Sequence, residues 1–164
     1  LDEALGALIF LAEPDGTFAP HDVWKFLAYA SDFDLVLGTR TAKELIWSDA
    51  NMGFILRVGN WIVAKLLALL FSGCSLTDCG CTFRLIRKTA LERIRADFSV
   101  GGSHFLPEMV ILALLSRVKI IEIPINYRAR IGTSKITGTL KGTLRTGFRM
   151  IALILWYRLK TWLP

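Results

Sequence analysis

Arg128, Arg130 and Lys135 fall within eight positions, with Gly132 and Ser134 between them. Two guanidinium forks beside a flexible glycine and a hydroxyl suit an anionic, oxygen-rich ligand, a phosphate above all. The isoleucine-rich residues 119–124 just upstream read as a strand. Alternate residues of an extended segment share a face, so Arg128 and Arg130 are expected to point the same way. A solvated basic loop would carry the same charges with no ligand at all, so the charges alone leave both readings open.

Three further polar clusters bear on that choice. Glu13-Pro14-Asp15-Gly16 places two carboxylates two positions apart after a short apolar run. Oxygen ligands on a tight turn suit a hard divalent cation, Mg²⁺ or Mn²⁺, which keeps open positions for substrate phosphates. An ordinary Pro-Asp-Gly turn, with Asp15 bonded only to nearby backbone, is the plainer alternative. Asp34-Leu-Val-Leu-Gly-Thr-Arg40 reads as a strand that delivers an arginine at its end. Thr77-Asp78 through Phe83-Arg84 is a polar turn with one carboxylate and one arginine.

The elements that must position these groups alternate along the chain. Strands are expected at 8–12, 34–38, 82–86 and 119–124. Helices are expected at 22–30, 50–71, 88–96 and 105–116, and over the tail. This alternation predicts an α/β layered fold, in which ligands gather at the carboxyl ends of the strands. In the long helix Ile55, Ile62, Leu66 and Leu69 recur at helical spacing and read as its core stripe. The apolar content suffices for one sizeable core. There is no internal repeat and no low-complexity tract. Cys74, Cys79 and Cys81 are odd in number and have no fourth ligand at zinc-finger spacing, so free thiols in a reducing compartment are expected.

Charge is distributed unevenly. The net charge is +6, yet from Arg128 to Pro164 there are eight basic residues and no Asp or Glu, so the remainder is slightly acidic. A basic end points to nucleic acid, anionic lipid or a phosphorylated substrate. The same end carries Phe148, Ile151, Leu155, Trp156, Leu159 and Trp162, too much aliphatic and aromatic surface for a nucleic-acid arm. It reads as a basic amphipathic helix lying in a membrane interface. Neither residues 62–71 nor 150–157 are long and uncharged enough to span a bilayer.

Taken in order, these motifs resemble the family 2 glycosyltransferases, in the branch similar to dolichol-phosphate mannosyltransferases and polyprenyl-phosphate glycosyltransferases. Glu13-Pro-Asp15-Gly is similar to the family's Asp-x-Asp-Gly metal motif, with Glu13 where Asp is usual. Gly38-Thr-Arg40 is similar to its Gly-Ser/Thr-Arg. Thr77-Asp78 to Phe83-Arg84 is similar to its Thr-Asp…Phe-Arg turn. Glu122-Ile-Pro to Ser134-Lys135 is similar to its Glu-x-Pro…Arg-x-Gly-x-Ser-Lys signature. Phe105-Leu-Pro-Glu108 resembles the helix start that carries a family glutamate.

The resemblance implies the C-terminal portion of a GT-A-type, Rossmann-like nucleotide-diphospho-sugar transferase over residues 1–138, followed by an interfacial helix over 139–164. The family's nucleotide-binding N-terminal half has no counterpart here, so the chain is expected to be a fragment or the second piece of a split gene. The implied activity is metal-dependent transfer of a sugar from a nucleotide-sugar donor to a polyprenyl phosphate, on the cytoplasmic face of a membrane. Mg²⁺ or Mn²⁺ would sit at Asp15 and Glu13. Asp15, Asp78 and Glu108 would serve the chemistry, and Arg40, Arg57, Arg130 and Lys135 would hold the acceptor phosphate. Arg84 and Arg128 are left to pair with nearby carboxylates. The alternatives are transfer to a soluble glycan or other hydroxyl, with Asp78 or Glu108 as base, and an inactive membrane-binding piece.

Overall fold

Short apolar runs closed off by Pro, Asp and Gly form the strands, and longer apolar-periodic runs form the helices. The computed structural model describes residues 4–47, 50, 54–71, 75–132 and 140–162. The strands are β1 (Leu8–Leu11), β2 (Leu35–Thr39), β3 (Arg84–Arg87) and β4 (Ile120–Pro124). The helices are α1 (Val23–Tyr29), α2 (Phe54–Leu70), α3 (Lys88–Ile94), α4 (Phe105–Leu115) and α5 (Leu140–Trp162). The fold is therefore mixed α/β, with each expected element present to within a few residues.

The four strands form one mixed sheet in the order β1-β3-β2-β4. β3 runs antiparallel to both β1 and β2, while β2 and β4 are parallel. It follows that β1, β2 and β4 run one way and β3 alone runs the other. The carboxyl ends of three strands and the segment entering the fourth then share one edge of the sheet. Gly38 lets β2 and β3 close up there, because its N–H donates to Phe83 O at 2.9 Å and an added Cβ would come within 2.9 Å of the same oxygen.

Side-chain alternation along the strands divides the core. Leu35, Leu37, Ile9 and Ile86 face a cluster built with α2, α3, α4 and α5. Val36, Leu85 and Ile123 face the other side, against Phe26 of α1 and Phe83. On that side Phe83 meets Phe10 and Phe26 edge-on and Phe18 in a stack, at centroid distances of 4.6 to 5.1 Å.

The expected stripe on α2 is a correction. Val63, Ala64 and Leu67 are the buried residues, whereas Ile62 and Leu69 are exposed and Leu66 is partly buried. The side chain of Ile55 lies outside the described residues. The helix is apolar nearly all round, so spacing does not fix which stripe faces inward. α5 turns Met150, Leu153, Ile154 and Tyr157 into the larger core cluster. Cys79 and Cys81 are free and buried, and burial pushes both thiols up to about 12. Cys74 lies outside the described residues.

Asp22 closes the far side of α1. It is fully buried and accepts from the Asn126 N–H at 2.6 Å and the Asn126 side-chain amide at 2.9 Å, with Lys25 Nζ at 2.8 Å. Burial alone would raise its carboxyl, but Lys25 and the two Asn126 donors outweigh that and hold it below the ordinary value of 3.8. A depressed carboxylate contributes stability that is present above its unfolded pKa and lost as pH falls through the folded one. Asp22→Asn should therefore cost about 1–3 kcal/mol at pH 7 and flatten the loss of stability below about pH 4, read by urea denaturation across pH. An acid limb as steep as that of the unaltered protein would refute this role.

Candidate functional site

The acidic turn sits where β1 leaves the sheet. Asp15 Oδ1 accepts from the Thr17 hydroxyl at 2.6 Å and the Thr17 N–H at 3.1 Å, which folds the turn back on itself. Gly16 has a positive φ of 76°, and a Cβ there would lie 2.9 Å from the Ile131 side chain. The turn is zipped to the segment after β4 by two backbone bonds, Arg128 N–H to Thr17 O and Ile131 N–H to Asp15 O, both 2.8 Å.

That zip delivers Arg130 to the acids. Its Nη2 lies 2.9 Å from Glu13 Oε2 and 2.9 Å from Asp15 Oδ2. Only the Glu13 contact has hydrogen-bond geometry. Asp15 Oδ2 remains a buried carboxylate oxygen with an ion pair but no hydrogen bond. The other oxygen of Glu13 accepts from the Thr82 hydroxyl at 2.6 Å, which ties the turn to the loop before β3. Burial would raise the Asp15 carboxyl, but the Thr17 bonds, Glu13 and the Arg130 charge hold it below 3.8.

A second ion pair stands beside the first. Asp78 is fully buried and accepts a two-point contact from Arg40, Nε to Oδ2 at 2.7 Å and Nη2 to Oδ1 at 2.9 Å. The backbone N–H groups of Arg40 and Gly80 add bonds at 3.2 and 3.1 Å. This buried partner holds the Arg40 guanidinium well above its usual range, although desolvation works against it. Arg40 also lies 5.4 Å over the Tyr127 ring, which links it to the segment carrying Arg130. Asn60 of α2 approaches the same pair, since a Cβ on Gly80 would lie 3.3 Å from its side-chain oxygen and 3.6 Å from Arg40 Nη2.

Glu122 and Arg84 hold the loop that carries Asp78. Glu122 projects from β4 and accepts from Thr77 N–H at 2.8 Å, the Thr77 hydroxyl at 2.6 Å and Asp78 N–H at 2.8 Å. Burial raises its carboxyl despite these bonds, and the neighbouring Asp78 charge adds to the rise. Thr39, Thr41 and Thr77 close a triangle of hydroxyl contacts at 2.8 to 3.0 Å between the end of β2 and that loop. Arg84 is fully buried and donates to the carbonyls of Cys79, Cys81 and Leu106, each at 2.6 Å. Glu122 was visible in the sequence as a charge inside an isoleucine-rich strand. The hydroxyl triangle had no such signal.

Glu13, Asp15 and Arg130 thus form one ion-pair group and Arg40 and Asp78 a second, both at the same edge of the sheet. Arg57 is half-buried on α2, one helical turn before Asn60, and among the described residues it makes no ion pair. Lys135 and Ser134 lie outside the described residues. Three expectations are corrected. Glu108 is fully buried on α4 and engaged by the Ser99 N–H and hydroxyl, the Val100 N–H and the Tyr157 hydroxyl, so it anchors the segment before α4 and α5. Arg84 takes carbonyls rather than a carboxylate, because its side chain points into the core. Arg128 does not share a ligand face with Arg130, since it stacks 4.6 Å over the Trp47 ring while Arg130 turns to the acids.

Among the described residues no group of three or more His, Cys, Asp or Glu side chains could enclose a metal ion. The acidic turn offers two carboxylates, and the under-served Asp15 Oδ2 fits a hard cation that completes its shell from a ligand's phosphates and water. No protein-family model matches the chain.

The Arg40–Asp78 pair yields a direct test. Arg40→Met strands a buried carboxylate and should cost about 3–5 kcal/mol in urea denaturation. Arg40→Lys should recover only part, because an ammonium cannot reproduce the two-point contact. A loss under about 1 kcal/mol would show that the pair does not tie this loop.

Proposed function

We propose that the chain is the metal and acceptor side of a GT-A-type glycosyltransferase that moves a sugar from a nucleotide-sugar donor to a polyprenyl phosphate at a membrane surface. The observation that carries this reading is the convergence of Glu13, Asp15, Arg40, Asp78 and Arg130 at one sheet edge from four separate segments. The order of motifs already resembled that family, and the strand directions bring those motifs together.

Mg²⁺ or Mn²⁺ at Asp15 and Glu13 would offset the charge that develops on the leaving diphosphate. The protein's own residues do the rest. Thr17 and Thr82 fix the two carboxylates. Asp78, gripped by the Gly80 N–H and the loop around Arg84, sets the plane of the Arg40 guanidinium. Arg40, Arg130, Arg57 and Lys135 supply the positive groups that hold an acceptor phosphate in line with the sugar's anomeric carbon.

The engagement of the acids favours a phosphate acceptor over a hydroxyl. A hydroxyl nucleophile needs a general base, whereas a phosphate monoester is already anionic near neutral pH. Asp78 is locked to Arg40 and Glu108 is enclosed by Ser99, Val100 and Tyr157, so both carboxylates are taken up by contacts within the protein.

The outer surface of α2 and α5 supports a membrane setting. α2 exposes Trp61, Ile62 and Leu69, and α5 exposes Leu144, Phe148, Leu155, Trp156, Leu159 and Trp162. The two helices pack together. Lys65 lies over Trp61, Lys160 over Trp156 and Arg158 over Trp162, at 4.8 to 5.8 Å. Aromatic rings paired with cations beside exposed leucines suit the headgroup level of an anionic bilayer. No helix among the described residues is long and apolar enough to cross a membrane.

Vesicles carrying a polyprenyl monophosphate should retain more of the chain than phospholipid vesicles of equal negative charge, and salt should weaken both. Mn²⁺ should raise the melting temperature, and Asp15→Asn should abolish that rise. Equal retention by the two vesicle types would remove the lipid-phosphate acceptor. A Mn²⁺ shift surviving in Asp15→Asn would remove the metal assignment.

A further inference from the structure

Arg130 stands where a metal ion would have to go. Its Nη2 is 2.9 Å from one oxygen of each acid, Glu13 Oε2 and Asp15 Oδ2. A divalent ion held by Glu13 and Asp15 would need the carboxylate oxygens that the guanidinium nitrogen now contacts. Two positive charges on the same oxygens repel strongly in a partly dry site. Occupation by one therefore excludes occupation by the other.

The present arrangement also serves the acids unequally. Nη2 carries two N–H bonds, yet only its contact with Glu13 Oε2 has hydrogen-bond geometry, and Asp15 Oδ2 is left without a hydrogen bond. A spherical ion has no such directional limit. Arg130 has room to leave, since its side chain is 29% exposed and Gly132, with a φ of 100°, follows in the same loop. Arg40, by contrast, is held at two points by Asp78 and does not have that freedom.

We propose that Arg130 is shared between two ligands: it is the counter-ion of the acidic turn when no divalent cation is bound, and cation binding releases it to a phosphate. This rests on the metal reading given above and adds a coupling to it. Binding of the cation and binding of a phosphate-bearing ligand become mutually favourable, because each relieves Arg130 of the competing contact. The guanidinium that neutralises the empty site becomes the group that grips the anion, so the phosphate clamp is armed only when the metal is present.

Isothermal titration of the full chain with Mn²⁺ alone separates the possibilities. Arg130→Gln removes the competitor and should bind Mn²⁺ about three- to tenfold more tightly than the unaltered chain, in line with a partly exposed ion pair reinforced by relief of repulsion. In the unaltered chain, saturating Mg²⁺ should tighten the binding of inorganic phosphate, and in Arg130→Gln most of that gain should vanish. The phosphate titration of the unaltered chain stands by itself should the variant fold poorly. Equal or weaker Mn²⁺ affinity in a folded Arg130→Gln would overturn the coupling and leave the metal site standing. Absence of Mn²⁺ binding in both proteins would overturn the coupling together with the metal reading. Phosphate affinity indifferent to Mg²⁺ in the unaltered chain would also overturn it.

Discussion

A guanidinium with no access to water organises the centre of this protein. Arg84 enters the core at the start of β3 and satisfies itself on the carbonyls of Cys79, Cys81 and Leu106. Desolvation lowers its pKa, and among the described residues no carboxylate bonds to it directly. A buried cation stays charged only if strong acceptors surround it, so the loop before β3 has to wrap with its carbonyls turned inward. That wrapping presents the Gly80 N–H to Asp78. Asp78 in turn fixes Arg40, and Glu122 secures the loop from the neighbouring strand. The chemistry at the sheet edge thus depends on a charge that never reaches it.

The second organising pattern is electrostatic balance at the surface of the site. Glu13, Asp15, Asp78 and Glu122 each have a cation or N–H donors, while Arg130 and Arg40 have carboxylates, Arg84 a carbonyl cradle and Arg128 an aromatic face. Arg128 is the instructive member, because its partner is the Trp47 ring rather than an acid. A stacked guanidinium keeps its charge available to solvent while its flat face is covered. Arg128 is therefore held by an aromatic face and not by an acid, with its buried Nε left without a hydrogen bond.

The elements themselves were legible because short apolar runs between Pro, Asp and Gly leave little choice but strand, and longer periodic runs little but helix. The groups at the carboxyl ends of β1, β2 and β4 could be placed from that alone. Asp78 could not, since it precedes its strand. It reaches the site only because β3 runs against its neighbours, and nothing in Arg84–Arg87 declares a direction. The inward face of α2 was illegible for another reason: where nearly every residue is apolar, spacing cannot select one stripe. Arg84 was expected to meet a carboxylate, and Glu108 was assigned a role from a resemblance. Neither reading carries the backbone course that turns the Cys79, Cys81 and Leu106 carbonyls to Arg84 and the Ser99 and Val100 N–H groups to Glu108.

The strand order β1-β3-β2-β4 has a consequence for how the protein comes to be folded. None of its pairings is a hairpin. β1 waits for β3, and β2 finds β3 and β4 only after α2 and then α3 and α4 have been made. Every ladder closes a long loop, so its entropic cost is met before any reward from pairing, and such topologies reach the native state slowly. Until β4 docks, the acids of the turn after β1 have no Arg130 beside them and repel one another. Closing the sheet with β4 is therefore what brings the neutralising charge to those acids.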